Sequence, residues 1–238
     1  MENVPYWIVF GDVHDDLSGL GGIPELAGAE GIIVTGDITF AGGVKKAEKV
    51  MEAIAASVPR VYAQVGNMDK PEVTGWLEER GWNLHAKGRT LFPGVVAVGV
   101  GTSPPTPFNT PGEYPEEQLM EWMEAGLAEG KKLLAGQESL FPDAGERIVL
   151  VSHAPPYGTA CDRLGNGTPV GSSAVREFIE KHRPALCLCG HIHESRGTDY
   201  LGAAHILNPG PLSEGGYVIL SLEGADRAAQ LKAELKIR

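Results

Sequence analysis

The chain reads as an α/β (α+β) protein on three observations. Over the first 80 residues, short apolar, β-branched runs alternate with stretches of helical periodicity in the order β-α-β-α-β-α. Each of these apolar runs ends at a Gly followed by Asp or Asn. Glycine and proline are abundant, 32 and 17 of 238 residues, which suits a loop-rich α/β chain better than a helical one.

Residues 4–10 form the first strand, ending at Gly11-Asp12, and residues 17–29 are Gly-broken, a loop with a brief helix. Residues 31–35 make the second strand, ending at Gly36-Asp37. In 44–57, Val44, Ala47, Val50, Met51 and Ile54 fall on one helical stripe, and Pro59 stops the helix. Residues 60–65 are the third strand, ending at Gly66-Asn67, and 71–80 a helix opened by Pro71 and closed before Gly81. Strands are expected at 90–92 and 95–100 around a Pro93-Gly94 turn, then a Pro-rich loop at 102–115. A long helix at 116–137 carries Leu119, Trp122, Met123 and Leu127 on one stripe. A strand at 147–151 delivers His153, a helix spans 172–182 with Ser172 as cap, and a strand at 185–189 delivers His191 and His193. Residues 200–207 and 217–222 read as strands and 231–237 as an edge strand. No repeat or linker divides the chain, so one domain, 1–238, is expected.

Composition narrows the partners. With Lys+Arg 20 against Asp+Glu 31 the net charge is −11, which argues against an extended nucleic-acid surface or an anionic membrane surface. An anionic small-molecule substrate stays compatible, because bound dications invert the local field. Cys187 and Cys189, two apart in an apolar run, read as buried small hydrophobes, and three cysteines cannot complete a disulfide set. No apolar run approaches a membrane span and no leader pattern precedes the first strand, so a reduced, cytoplasmic setting is the expectation. Nothing in the sequence sets the oligomeric state.

Seven O/N donors follow apolar runs in five short signatures: Gly11-Asp12-Val13-His14, Gly36-Asp37, Gly66-Asn67-Met68-Asp69, Ser152-His153-Ala154-Pro155 and Gly190-His191-Ile192-His193. Asp, Asn and neutral His are ligands for hard and borderline divalent ions. In open α/β sheets sites form beyond the carboxyl ends of strands, so the pattern places these residues at one edge of one sheet. Asp-x-His on a strand-end loop presents a carboxylate and an imidazole to one ion. Asp37 is short enough to bridge two, Asn67 adds a neutral oxygen, and His153, His191 and His193 complete two nitrogen-rich spheres. Two such ions clamp a phosphoryl group and lower the pKa of a shared water.

On this ordered set the chain resembles the calcineurin-like metallophosphoesterase superfamily, from Gly11 to Gly210. Ser152 to Tyr157, residues 171–179 and Asn208-Pro209-Gly210 look like a branch of small bacterial and archaeal phosphoesterases. The resemblance implies a β-sandwich of mixed sheets flanked by helices. It implies a first ion held by Asp12, His14, Asp37 and His193, and a second by Asp37, Asn67, His153 and His191. The ions would be two of Mn, Fe, Zn, Ni or Co, with a metal-bridging hydroxide as nucleophile. The reaction implied is hydrolysis of a phosphodiester or phosphomonoester, on a small or nucleotide-like substrate.

One position departs from the family. Its third motif usually reads Gly-Asn-His-Asp/Glu, the His protonating the leaving group or stabilising the transition state and the acid orienting it. Here Met68 stands where that His would be, while Asp69 remains. A thioether donates no proton, so the leaving group needs little protonation, another residue supplies it, or activity is low. Phe108 and Asn109 in the 102–115 loop are candidates to stack on an aryl group or base and to contact phosphate, and Arg163 in the 158–171 loop is the nearest basic candidate. His85 and His182 read as structural, His205 as a neighbour of the Asn208-Pro209-Gly210 loop, and Asp15 and Asp16 as solvated or helix-starting acids. The competing functions are a weakly active or inactive metal-binding scaffold, and a protein phosphatase.

Overall fold

The computed structural model describes residues 4–135, 147–224 and 229–238. Two mixed sheets face each other. The first runs in the order β11-β10-β1-β2-β3, with β1 (Tyr6–Phe10), β2 (Gly31–Val34), β3 (Val61–Ala63), β10 (Gly216–Glu223) and β11 (Gln230–Ile237). β1, β2 and β3 are parallel, and β10 and β11 extend the sheet antiparallel. The second runs β4-β5-β6-β7-β9-β8, with β4 (Gly88–Phe92), β5 (Val95–Val100), β6 (Ile148–Ser152), β7 (Leu186–Leu188), β8 (Gly197–Leu201) and β9 (Ala204–Asn208). β5, β6, β7 and β9 are parallel, and the edge strands β4 and β8 are antiparallel.

The continuous apolar runs follow from burial on both faces of each sheet. Trp7, Val9 and Ile33 point between the sheets onto Val95, Ala97, Val149, Val151, Leu186 and Leu188. Their alternates Ile8, Phe10, Ile32 and Val34 point outward onto α1 (Val44–Ala55) and α2 (Glu72–Glu79). On the far side Val96, Val98, Ile148, Leu150 and Cys187 meet α3 (Glu116–Leu134) and α4 (Ser173–His182). The predicted stripes of α1 and α3 are the faces that pack. Ala47, Val50, Met51 and Ile54 are buried in α1, and Leu119, Met123 and Leu127 in α3, with Trp122 packed partly buried beside them. The last two residues expected in α3, 136 and 137, lie outside the described residues. Ser172 caps α4 by accepting the Val175 amide at 3.1 Å.

Two expectations are corrected. Residues 200–207 are not one strand: Gly202, with φ +62°, lets the chain reverse between β8 and β9. The signatures do not line one edge of one sheet. Asp12, Asp37 and Asn67 follow β1, β2 and β3 of the first sheet, whereas His153 and His191 follow β6 and β7 of the second. Periodicity marks where each strand ends but carries no information about which sheet it joins.

Candidate metal centre

The carboxyl ends of the two sheets converge, and two groups of donors meet there. Asp12, His14 and His193 form one and Asp37, His153 and His191 the other, each with its ligand atoms within 4.8 Å of one another. In the first group His14 Nε2 and His193 Nε2 face each other at 3.3 Å, and His193 Nε2 lies 3.4 Å from Asp12 Oδ1. In the second, His153 Nε2 lies 3.4 Å from Asp37 Oδ1 and 3.0 Å from Asn67 Oδ1. Asp37 joins the groups, because its Oδ2 is 3.6 Å from His14 Nε2.

These spacings fit divalent ions. Ligand bonds of about 2.0–2.2 Å imply donor–donor edges of roughly 2.8–3.1 Å in an octahedron and roughly 3.3–3.6 Å in a tetrahedron. The charge balance points the same way. Burial works against the Asp12 carboxylate, yet the His193 contact and the neighbouring imidazoles hold its pKa down at about 2. Burial likewise opposes a charged His153, but Asp37 outweighs it and lifts that imidazole to about 9. His191 is pushed down to about 4 by burial and by His153. Acidic and basic donors facing each other in a buried cluster need positive charge between them, supplied by protons or by cations.

The backbone is shaped around the cluster. Asp12, His14, Asp37 and His191 all take left-handed φ, between 46° and 69°. Non-glycine residues there store about 1–3 kcal/mol each and persist only where the surroundings hold them. The glycines of the signatures leave room for ligands of other stations. A Cβ at Gly66 would lie 2.0 Å from Asp37 Oδ1, and one at Gly190 would lie 2.5 Å from Asp12 Oδ2. Backbone amides steady the carboxylates: His191 N–H donates to Asp12, and Met68 N–H donates to Asp37 Oδ1 at 2.8 Å. Met68 therefore keeps a main-chain role that its side chain does not affect.

Asp69 does something other than orient a catalytic His. Buried, it accepts from the amides of Ile38, Thr39 and Gly66 and from the Thr39 hydroxyl, at 2.8–3.0 Å. It fastens the Asp37 loop to the Asn67 loop. Burial, and then the Asp37 charge, raise its pKa to about 7.

The expected substrate contacts fare differently. Phe108 is 79% exposed and Asn109 is exposed too. It is Thr110, their unpredicted neighbour, that accepts from Asn67 Nδ2 at 2.8 Å. The Arg163 guanidinium binds the carbonyls of Thr159 and Gly167 in its own loop, so the structure does not aim it at the centre. Sequence reasoning also missed Phe40. It is 62% exposed, edge-on to His14 at 6.0 Å, and placed at the rim. Asn208 has a role that its Asn-Pro-Gly loop does not disclose: its side chain is buried and donates to Ile192 O at 2.9 Å, holding the His191–His193 turn. His85 and His182 are structural as expected: His85 Nδ1 accepts the Gly101 amide, and His182 pairs with Glu124 at 2.8 Å. His205 stacks on Tyr200, and Asp15 pairs with Lys46.

Comparison with known proteins agrees with this geometry. The family model of calcineurin-like phosphoesterases matches residues 7–195, a stretch that contains all seven candidate ligands. An uncharacterized protein of Methanocaldococcus jannaschii is 37% identical over 190 residues, 78% of this chain and 79% of that one. The crystal structure of TT1561 of Thermus thermophilus superimposes with a TM-score of 0.65 at 21% identity, covering 98% of this chain and 99% of that one. A dimetal phosphatase from Danio rerio superimposes at 0.56 and 12% identity, covering 97% and 98%. The structural likenesses speak for the fold, while the matched model and the archaeal relative decide membership. The chain belongs to the calcineurin-like phosphoesterase family.

Proposed function

We propose that this chain hydrolyses a small or nucleotide-like phosphate ester at a dinuclear metal centre. Asp12, His14, Asp37 and His193 would hold one ion, and Asp37, Asn67, His153 and His191 the other. The observation that carries this reading is the position of Asp37, within 3.6 Å of His14 on one side and 3.4 Å of His153 on the other. Divalent ions, when bound, neutralise phosphoryl oxygens and lower the pKa of the attacking water. Mn, Fe, Zn, Ni and Co all suit a mixed Asp/Asn/His donor set. The Met68 amide fixes the Asp37 carboxylate that both sites would share, and Asp69 keeps the two loops that carry Asp37 and Asn67 in register.

The Met68 side chain cannot protonate a leaving group. That favours esters whose leaving group departs unassisted, such as aryl phosphomonoesters and aryl phosphodiesters, over alkyl phosphates. The three cysteines are buried and free, in keeping with a reduced, cytoplasmic compartment. Among the described residues no helix is long and apolar enough to cross a membrane. Hydrolysis of bis(4-nitrophenyl) phosphate and 4-nitrophenyl phosphate with added Mn²⁺ tests the reading, with Asp37→Asn as control. Turnover of the diester that the variant loses supports it. If neither ester turns over with Mn²⁺, Ni²⁺, Co²⁺, Fe²⁺ or Zn²⁺, the reading as a metal-binding scaffold gains instead.

A further inference from the structure

We propose that Thr110, backed by Glu113, is a positioning residue that fixes which end of the Asn67 amide faces the metal centre. This rests on Asn67 being a ligand in the centre proposed above. An Asn side chain has an oxygen and an NH₂ of nearly the same shape, and only the oxygen can bind a cation. Nothing in Asn67 itself selects the end presented.

The selection comes from the 102–115 loop. Glu113 Oε1 accepts from the Thr110 hydroxyl at 2.7 Å, from the Thr110 amide at 2.8 Å and from the Thr106 hydroxyl. A carboxylate only accepts, so the single hydroxyl proton of Thr110 is committed to Glu113. Towards Asn67 the hydroxyl can therefore only accept. Asn67 meets it with Nδ2–H at 2.8 Å, which turns Oδ1 towards His153 Nε2 at 3.0 Å. Burial opposes the Glu113 charge, but these hydrogen bonds hold its pKa at about 2, so the carboxylate stays acceptor-only across the physiological range. The loop is fastened to the same residue through the backbone: Gly112 N–H donates to Asn67 O at 2.8 Å, and Ser103 N–H to Gly112 O at 3.1 Å. The buried Gly112 is forced there, since a Cβ would lie 2.7 Å from Gly66 O. The loop is thus an orienting strap for the third signature.

The test is a Mn²⁺ titration by calorimetry of the whole chain and three variants, each checked for folding by its thermal melt. Thr110→Val removes the acceptor and is expected to weaken one of two sites by about 10–100-fold, as loss of outer partners of metal ligands does. Thr110→Ser restores the hydroxyl and is expected to restore affinity. Glu113→Ala leaves Thr110 in place, frees its proton, and is expected to weaken the same site, so the inference does not hang on how Thr110→Val folds. Wild type binding two ions, with Thr110→Val and Glu113→Ala both binding them as tightly, overturns the inference alone. A wild type that binds no ion overturns the metal centre, and this inference with it.

Discussion

Asp37, Met68 and Asp69 divide among themselves roles that are easily assigned to one motif. The Met68 amide holds Asp37, and the Asp69 carboxylate takes hydrogen bonds from Ile38, Thr39 and Gly66. Asp69→Asn puts an NH₂ against amide donors and leaves buried N–H groups without partners, at about 1–3 kcal/mol each. It is expected to destabilise the chain by several kcal/mol in urea unfolding, while Met68→Ala leaves metal binding intact. Met68→His is expected to raise turnover on poor leaving groups by up to about 10²-fold and to change good ones little; equal effects across a leaving-group series would contradict the proposed role of the position. His85 supplies a pH prediction. Burial lowers its pKa from 6.5 to about 4, and its Nδ1 must stay unprotonated to accept the Gly101 amide. The unfolded chain takes the proton first, so stability present above pH 6.5 is lost progressively as pH falls towards 4. The loss is of order 3 kcal/mol. His85→Gln should flatten that part of the stability profile relative to wild type.

At the level of elements, what the sequence made legible is what period and turn chemistry encode. The stripe of α1, the cap at Ser172 and the strand ends at Asp12, Asp37 and His153 are all local signals, and each is found in place. The β8–β9 hairpin was hidden because its two strands flank a two-residue turn inside one stretch that reads as extended. Phe108 and Asn109 drew attention by residue type, yet the contact to Asn67 belongs to Thr110, whose role depends on Glu113 three residues on and on Asn67 43 residues back. Long-range partners of that kind leave no periodic trace. Another such contact is Glu116, at the start of α3, whose carboxylate accepts from Ser173 and Ala174 amides at the start of α4, at 2.9 and 3.0 Å. It adds a charge favoured by the helix dipole to the Ser172 cap. Glu116→Ala is expected to cost about 1 kcal/mol in urea unfolding. Combined with Ser172→Ala it should cost less than the sum, because the Ser172 hydroxyl also donates to Glu116.

Over the whole molecule, the candidate centre depends on two sheets whose strand ends meet. Asp12, Asp37 and Asn67 come from one sheet and His153 and His191 from the other. The ordered signatures disclosed the candidate donors, but convergence from two sheets needed the tertiary structure. A cation at this junction ties the sheets together, so binding should stabilise the fold by about 2.7 kcal/mol at a hundredfold excess over Kd. It must also displace protons from imidazoles such as His153, held at about 9 in the free centre. Metal affinity is therefore expected to rise with pH towards 9, a slope that calorimetry in buffers of different ionisation enthalpy would report. The most direct measurement is the number of Mn²⁺ ions bound per chain by wild type and by Asp37→Asn. A centre in which both sites share Asp37 binds two in wild type and no more than one tightly in the variant. No ion or one in wild type, or two bound equally well without the Asp37 carboxylate, would contradict it.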